Sequence, residues 1–458
     1  MTTLTLRLKR LALTIVFALS ILAGVHLALT SSASPARAWS ARDSAGLPPL
    51  EPSKPVTEPV TYTLYLPVIN RNYPIMQEVR ALWVTRFEWT FYHRAVTTTD
   101  IDTIVDHAAA AHFNMLLFQI RGTADAFYSS TLEPWAARLT GETTATLGVD
   151  PGWDPLAYMV TKAHSSGLQV HAYMNVFPTW LCGVGAPPHT TPEHLFWTLS
   201  HSSTTWSAWR VYSDPQTPMN IDTCSDYLWA TPALSLTRDH IAAVATDIVS
   251  RYNVDGIHLD LIRYPGSNYS YDPYTLQAFT DALQITPSLT ITGWRPDFQR
   301  AQINTLVGQV YSAITSLKPD LWLSAAVWPN YTSSYNSYYQ DSKGWLANNL
   351  IDANMPMLYS SDIVNDLAAW FDRAQGFIND SYNRYVIPGI GLRYTIASQT
   401  FCVPFDGIRS RIDAARAMGA SGVALFSYSG LDMCNYWNDL ANGPFATPAM
   451  VPKPSWKP

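Results

Sequence analysis

Eight short runs rich in β-branched, aromatic and aliphatic residues recur between positions 79 and 428. Segments of helical period fill most of the gaps between them. The runs are Val79–Thr85, Met115–Arg121, Gln169–Asn175, Gly256–Ile262, Trp322–Trp328, Asn354–Tyr359, Val386–Leu392 and Gly422–Tyr428, each short enough for a buried strand. The intervening helices are predicted at Thr99–Ala111, entered through Thr and Asp, at Pro155–Ser166, stopped by Gly167, and at Ser235–Tyr252. Strand–helix repetition gives a parallel sheet, and eight repeats close one into a (β/α)8 barrel with loop insertions at its C-terminal face.

Side chains alternate across a strand, so the apolar positions identify the inner face. In Gly256-Ile257-His258-Leu259-Asp260, Ile257 and Leu259 belong against helices, which turns His258 and Asp260 into the barrel. The same reading turns His171, Tyr173 and Asn175 inward on the third strand, and Gln119 and Arg121 inward on the second. Polar groups at the ends of three neighbouring strands meet the face where this fold keeps its active sites.

The ends read differently. Arg7, Lys9 and Arg10 precede an uncharged apolar run from Leu11 to Leu29, then small residues through Ala36-Arg37-Ala38. Residues 1–38 are therefore expected to be an export signal, with retention as a membrane anchor left open, which places the protein outside the cytoplasm or at the cell envelope. Residues 39–75 form a Pro/Ser-rich linker with one apolar run, Tyr62–Ile69; 76–442 hold the barrel; 443–458 form a Pro-rich tail. Four cysteines in an exported chain allow three pairings, and the local pairs Cys182–Cys224 and Cys402–Cys434 are predicted.

Charged residues make up 14% of the chain against a usual figure of about 25%, while aromatics reach 13%, with 17 Trp and 25 Tyr. Flat rings with polar tips suit the C–H faces of sugars. A net charge of −6 without a basic run argues against nucleic acid as a partner.

Several segments carry a family resemblance: Glu78-Val79-Arg80-Ala81-Leu82-Trp83-Val84-Thr85, Phe118-Gln119-Ile120-Arg121-Gly122 with Asp125 and Tyr128, and His171-Ala172-Tyr173-Met174-Asn175. Val254-Asp255-Gly256-Ile257-His258-Leu259-Asp260 before Arg263-Tyr264-Pro265, Tyr339-Gln340-Asp341, Pro356 with Tyr359, and Leu425-Phe426-Ser427-Tyr428 extend it. In order and spacing they resemble the glycosyl-hydrolase-like family 10 barrels. The resemblance implies a bacterial secreted glycosidase acting on a polysaccharide or oligosaccharide. The family's second Asp in the fourth-strand motif is here Leu261.

Glycoside hydrolysis ordinarily takes two carboxyl groups. Asp260, inward at a strand end with His258 beside it and Arg263 beyond, is the first choice for nucleophile or charge stabiliser. Asp341 is the preferred partner acid, ahead of Asp125 and Glu88. Arg121, His171, Asn175 and Tyr359 are expected to bind sugar hydroxyls, with Trp328 and Trp180 as platforms. Two other readings stand beside this one. One is a metal-dependent hydrolase with His171, His258 and Asp260 converging on an ion, but no His-x-His or one-turn spacing supports it, so neither metal nor cofactor is expected. Leu261 keeps open a non-catalytic glycan-binding barrel.

Overall fold

The computed structural model describes residues 76–458 except 204, 215, 270, 284–295, 361 and 362. The expected export segment and the linker with Tyr62–Ile69 lie outside the described residues.

The main sheet consists of β1 (Val79–Val84), β2 (Met115–Arg121), β3 (Gln169–Asn175), β4 (Gly256–Asp260), β5 (Trp322–Val327), β6 (Ala353–Pro356), β7 (Tyr385–Val386), β8 (Gly389–Gly391) and β9 (Gly422–Phe426). They are hydrogen-bonded in the order β7-β6-β5-β4-β3-β2-β1-β9-β8, with every pair parallel. The two outer segments, β7 and β8, are neighbours in the chain, separated only by Ile387 and Pro388. Proline has no N–H for the ladder, so the run expected over 386–392 is two short strands, one bonded to β6 and the other to β9.

Helices Thr98–Ala110, Pro155–Ser165, Ser235–Arg251, Asp297–Leu317, Leu367–Asn379 and Phe405–Ala417 lie between successive strands. The second begins with Pro155 at its first position, and the Asp154 side chain accepts from Leu156 and Ala157 N–H at 3.1 Å, as a helix start requires.

Alternation along the strands separates two apolar layers. Leu82, Phe118, Val170, Ile257, Leu323 and Leu425 pack outward in the layer shared with the helices. Val79, Ala81, Trp83, Met115, Leu117, Trp322, Met355 and Ala424 form a second cluster on the inner face. His171 belongs to that inner layer and is fully buried, its ring seated beside Gly256. A Cβ on residue 256 would stand 2.4 Å from His171 Nδ1, so only glycine leaves the ring its place.

Two excursions leave the sheet. Pro178–Leu181 pairs antiparallel with Tyr227–Trp229, and the insertion between them is closed by Cys182–Cys224. The hairpin Arg393–Ile396/Gln399–Cys402 is tied by Cys402–Cys434. Closing chain separations of 42 and 32 residues restricts the unfolded state by about 4 kcal/mol each in the chain-entropy account. The tail is ordered: Ala449–Met450 pairs with Met76–Gln77, and Trp456 Nε1 and Lys457 Nζ reach buried Asp352 at 2.7 and 3.0 Å. Among the described residues no helix is long and apolar enough to cross a membrane.

Candidate active site

The C-terminal ends of β1, β2, β3, β4 and β9 surround a cleft of about 510 Å³. Asp260 ends β4, opposite Asn175 in the ladder to β3. Its Oδ2 accepts from the Tyr173 hydroxyl at 2.6 Å, and its Oδ1 from Leu261 N–H, also at 2.6 Å. Leu261 adopts a left-handed conformation, φ +53, which is costly for a residue with a Cβ. That backbone turn is what points its N–H at the carboxylate of the preceding residue. Burial, and then the neighbouring Asp260, push the Tyr173 phenol well above its ordinary range, so it stays a donor.

The second carboxylate lining this cleft is Glu88, from the short helix Arg86–Trp89 after β1. Glu88 Oε2 accepts from Thr85 N–H at 2.7 Å, reaching back three residues as in a capping box. Its Oε1 accepts from Ser429 N–H at 2.7 Å, the Ser429 hydroxyl at 2.6 Å and the Ser427 hydroxyl. Glu88 thus ties the loop after β1 to the loop after β9. Arg86 N–H donates to Gln119 Oε1 at 2.8 Å, and Gln119 Nε2 to Asn175 Oδ1 at 3.1 Å, a polar chain running along one wall.

Beneath lies a buried floor. Trp83 Nε1 donates to His258 Nε2 at 3.3 Å, so His258 carries its proton on Nδ1, 2.9 Å from Ser324 Oγ. Burial, with a smaller contribution from His171, holds His258 down at about 3, and burial holds His171 at about 4. Both rings are neutral at ordinary pH. Among the described residues neither His171 nitrogen has a hydrogen-bond partner.

Asp260 and Asn175 therefore line the cleft, with His258 directly below. The other expected residues have different surroundings. Asp341 caps the helix Ser342–Ala347, accepting from Gly344 N–H at 3.0 Å and the Tyr331 hydroxyl at 2.7 Å, and is not among the lining residues. Asp125 accepts from Thr123 N–H at 2.6 Å in a local turn. Arg121 is fully buried: Nε and Nη2 grip Glu133 at 2.9 and 2.7 Å, and Nη1 donates to the Asn175 and Val176 carbonyls. Burial alone would raise Glu133, but Arg121 and His240 outweigh it and hold that carboxyl at about 2. A guanidinium so engaged has nothing left for a sugar.

His171 lies below the floor, without access to the cleft. Trp180, expected as a platform, is only 2% exposed, its Nε1 bound to Gly185 O and its ring edge-on to His194. Arg263 makes no ion pair with Asp260 and instead lies over the rings of Trp229, Trp328 and Tyr338 at 5.0–5.4 Å. Trp328 packs on Tyr338 at 4.2 Å. Tyr359 stacks on Phe426 at 4.4 Å and lines an adjoining hollow. Among the described residues no three His, Cys, Asp or Glu side chains are placed to hold a metal.

The sequence model of the glycosyl hydrolase-like 10 family matches residues 78–393. The chain belongs to that family. It is 25% identical to glycosyl hydrolase YngK of Bacillus subtilis over 386 residues, covering 77% of this chain and 68% of that protein. It is 27% identical to glycosyl hydrolase DigH of Escherichia coli K12 over 314 residues, covering 62% of this chain and 66% of that one. Among solved structures, the glycoside hydrolase domain of PgaB (BpsB) from Bordetella bronchiseptica superposes with a TM-score of 0.59 at 10% identity, covering 82% of this chain and all of that one. An α-L-fucosidase from Paenibacillus thiaminolyticus gives 0.51 at 15% identity, over 81% of this chain and 49% of that one. At such identities these two likenesses speak for the fold of this family member.

Several cleft residues had little signal in the sequence. Thr85 followed by Glu88 is a recognisable capping-box spacing. Ser427 stands in a family-like segment, but nothing local marks it or Ser429 as partners of Glu88, which they meet across separations of 339 and 341 residues.

Proposed function

We propose that this chain is an exported glycoside hydrolase of closed (β/α)8 form, with 385–391 serving as one strand interrupted at Pro388, and that Asp260 and Glu88 are its working carboxyl pair. The observation that carries the reading is two carboxylates from different strand ends lining one cleft in a member of a glycosyl hydrolase-like family. Two disulfides in the described part support export.

Asp260 accepts one hydrogen bond on each oxygen, so each keeps a lone pair for the substrate. It acts on the anomeric centre, directly or through water, and offsets positive charge growing on the ring. Glu88 is the proton donor to the leaving oxygen. The Ser427 and Ser429 hydroxyls can turn and accept, so Glu88 can carry a proton without losing its frame. Asn175 and Gln119 orient sugar hydroxyls along the wall. This assignment replaces Asp341, which is not among the residues lining the cleft.

The test is reducing-end release from a panel of defined glycans, read by mass spectrometry, for wild type, Asp260→Asn and Glu88→Gln. Each variant is expected to lose about 10²–10⁴-fold in kcat; Asp260→Asn keeps its melting temperature, while Glu88→Gln stays folded but melts lower, because its amide nitrogen meets an N–H donor at Thr85 or Ser429. Wild-type turnover in Asp260→Asn would remove the assignment. The second reading, a glycan-binding barrel without chemistry, rests on Leu261 in place of the family's second Asp. Wild-type binding to insoluble polysaccharide with no product from any glycan would favour it.

A further inference from the structure

Two arginines line the cleft, and among the described residues neither has a carboxylate within 4 Å of its guanidinium. Arg86 is otherwise committed: Nη2 donates to the Tyr227 hydroxyl at 2.8 Å, and its guanidinium lies 4.2 Å over the Phe87 ring. Arg393 is not. Among the described residues its guanidinium makes one hydrogen bond, from Nη2 to Ser429 Oγ at 2.9 Å, which leaves most of a five-donor fork unused on a half-buried side chain. The cleft carboxylates do not need that fork, since Tyr173 and Leu261 serve Asp260 while Thr85, Ser427 and Ser429 serve Glu88.

Arg393 also borders a second hollow of about 280 Å³, which shares Arg393 and Phe426 with the cleft. The Tyr359–Phe426 stack, with planes 6° apart, forms part of its wall, and Gly391 and Tyr394 also line it. A Cβ at 391 would meet Tyr359 Cβ at 2.5 Å, so glycine lets Tyr359 seat against this strand and present its ring to the hollow. Arg393 is the first residue of the hairpin pinned by Cys402–Cys434, so its position is set before any ligand arrives.

We propose that this hollow is a subsite for a carboxylate-bearing sugar unit next to the cleaved bond, and that Arg393 is its specificity-determining residue. The ring faces carry the sugar's C–H surface, and the free edge of the guanidinium takes the carboxylate in a two-point contact that lysine cannot reproduce. The identity of the ligand as a sugar rests on the glycosidase reading above; the charge preference is read by binding and does not depend on turnover.

The experiment is calorimetric binding of an array of oligosaccharides bearing hexuronate, sialyl or carboxyalkyl-ether groups, each beside its carboxyl-reduced counterpart. Wild type is expected to prefer at least one acidic member over its reduced partner by about 10- to 100-fold. Arg393→Gln erases that preference and leaves affinity for reduced partners unchanged, and Arg393→Lys falls between. Should Arg393 merely hold Ser429 against Glu88, Arg393→Gln would lower kcat on acidic and neutral glycans alike and leave the preference intact, which overturns the proposal. Equal binding of every pair by wild type overturns it as well. Preference for the acid without hydrolysis of any glycan would instead retire the glycosidase reading and keep this one.

Discussion

Replacing Arg121 by Met separates a structural cation from a sugar-binding one. Arg121 and Glu133 have no exposed side-chain surface, and among the described residues the other ion-pair partner of Glu133 is His240 at 2.9 Å. Removing the guanidinium leaves a buried carboxylate short of its main counter-charge, a change that costs about 3–5 kcal/mol. With an unfolding entropy of about 2.1 cal/mol/K per residue over roughly 380 folded residues, that loss lowers the melting temperature by about 4–6 °C. The pH dependence adds a sign. In wild type the folded pKa of Glu133, about 2, lies below its unfolded value, so its contribution is present above the ordinary carboxylate range and fades as pH falls toward 2. Without Arg121, burial dominates and the folded pKa rises, so the deficit of the variant relative to wild type shrinks as pH falls from 7 to 4. Adding Glu133→Leu removes the orphaned charge and is expected to recover most of the loss. Thermal melts between pH 4 and 8, beside glycan affinity, decide it. An Arg121→Met protein that melts like wild type yet no longer binds glycan would refute the buried-pair argument.

Two further outcomes follow from the barrel floor. His171 is held at about 4 against an ordinary 6.5, so the unfolded chain binds a proton through that window that the folded chain refuses. Wild-type stability relative to His171→Leu is expected to rise by about 1.4 kcal/mol per pH unit between 4 and 6.5 and then level off, measured by urea unfolding; parallel curves would contradict it. Gly256→Ala forces a methyl against the same ring and is expected to cost about 1–3 kcal/mol, with His171→Ala in the same chain cancelling part of that cost. Strict additivity of the two changes would show that the ring and the methyl do not meet.

The strands, the parallel sheet, the inward turn of Tyr173, Asn175, His258 and Asp260, and both cysteine pairs could be read from residue order. They depend on periods of 2 and 3.6 and on chain proximity, which are local properties of a polypeptide. Partnership is not local. Period-2 alternation turns both Arg121 and His258 inward with Asp260, yet a register shift after Gln119 sets Arg121 opposite Met174 of the outer layer, where Glu133 claims it, while Trp83 with Ser324 claims His258. Asp341 stands in a family-like motif and spends its oxygen on a helix start. Glu88 enters the cleft because the first and last strands of the sheet lie side by side, bringing Ser427 and Ser429 to it from more than 330 residues away. Which polar group is free to meet a substrate is settled by who else is near enough to bind it, and that becomes defined only once the sheet has brought distant strand ends together.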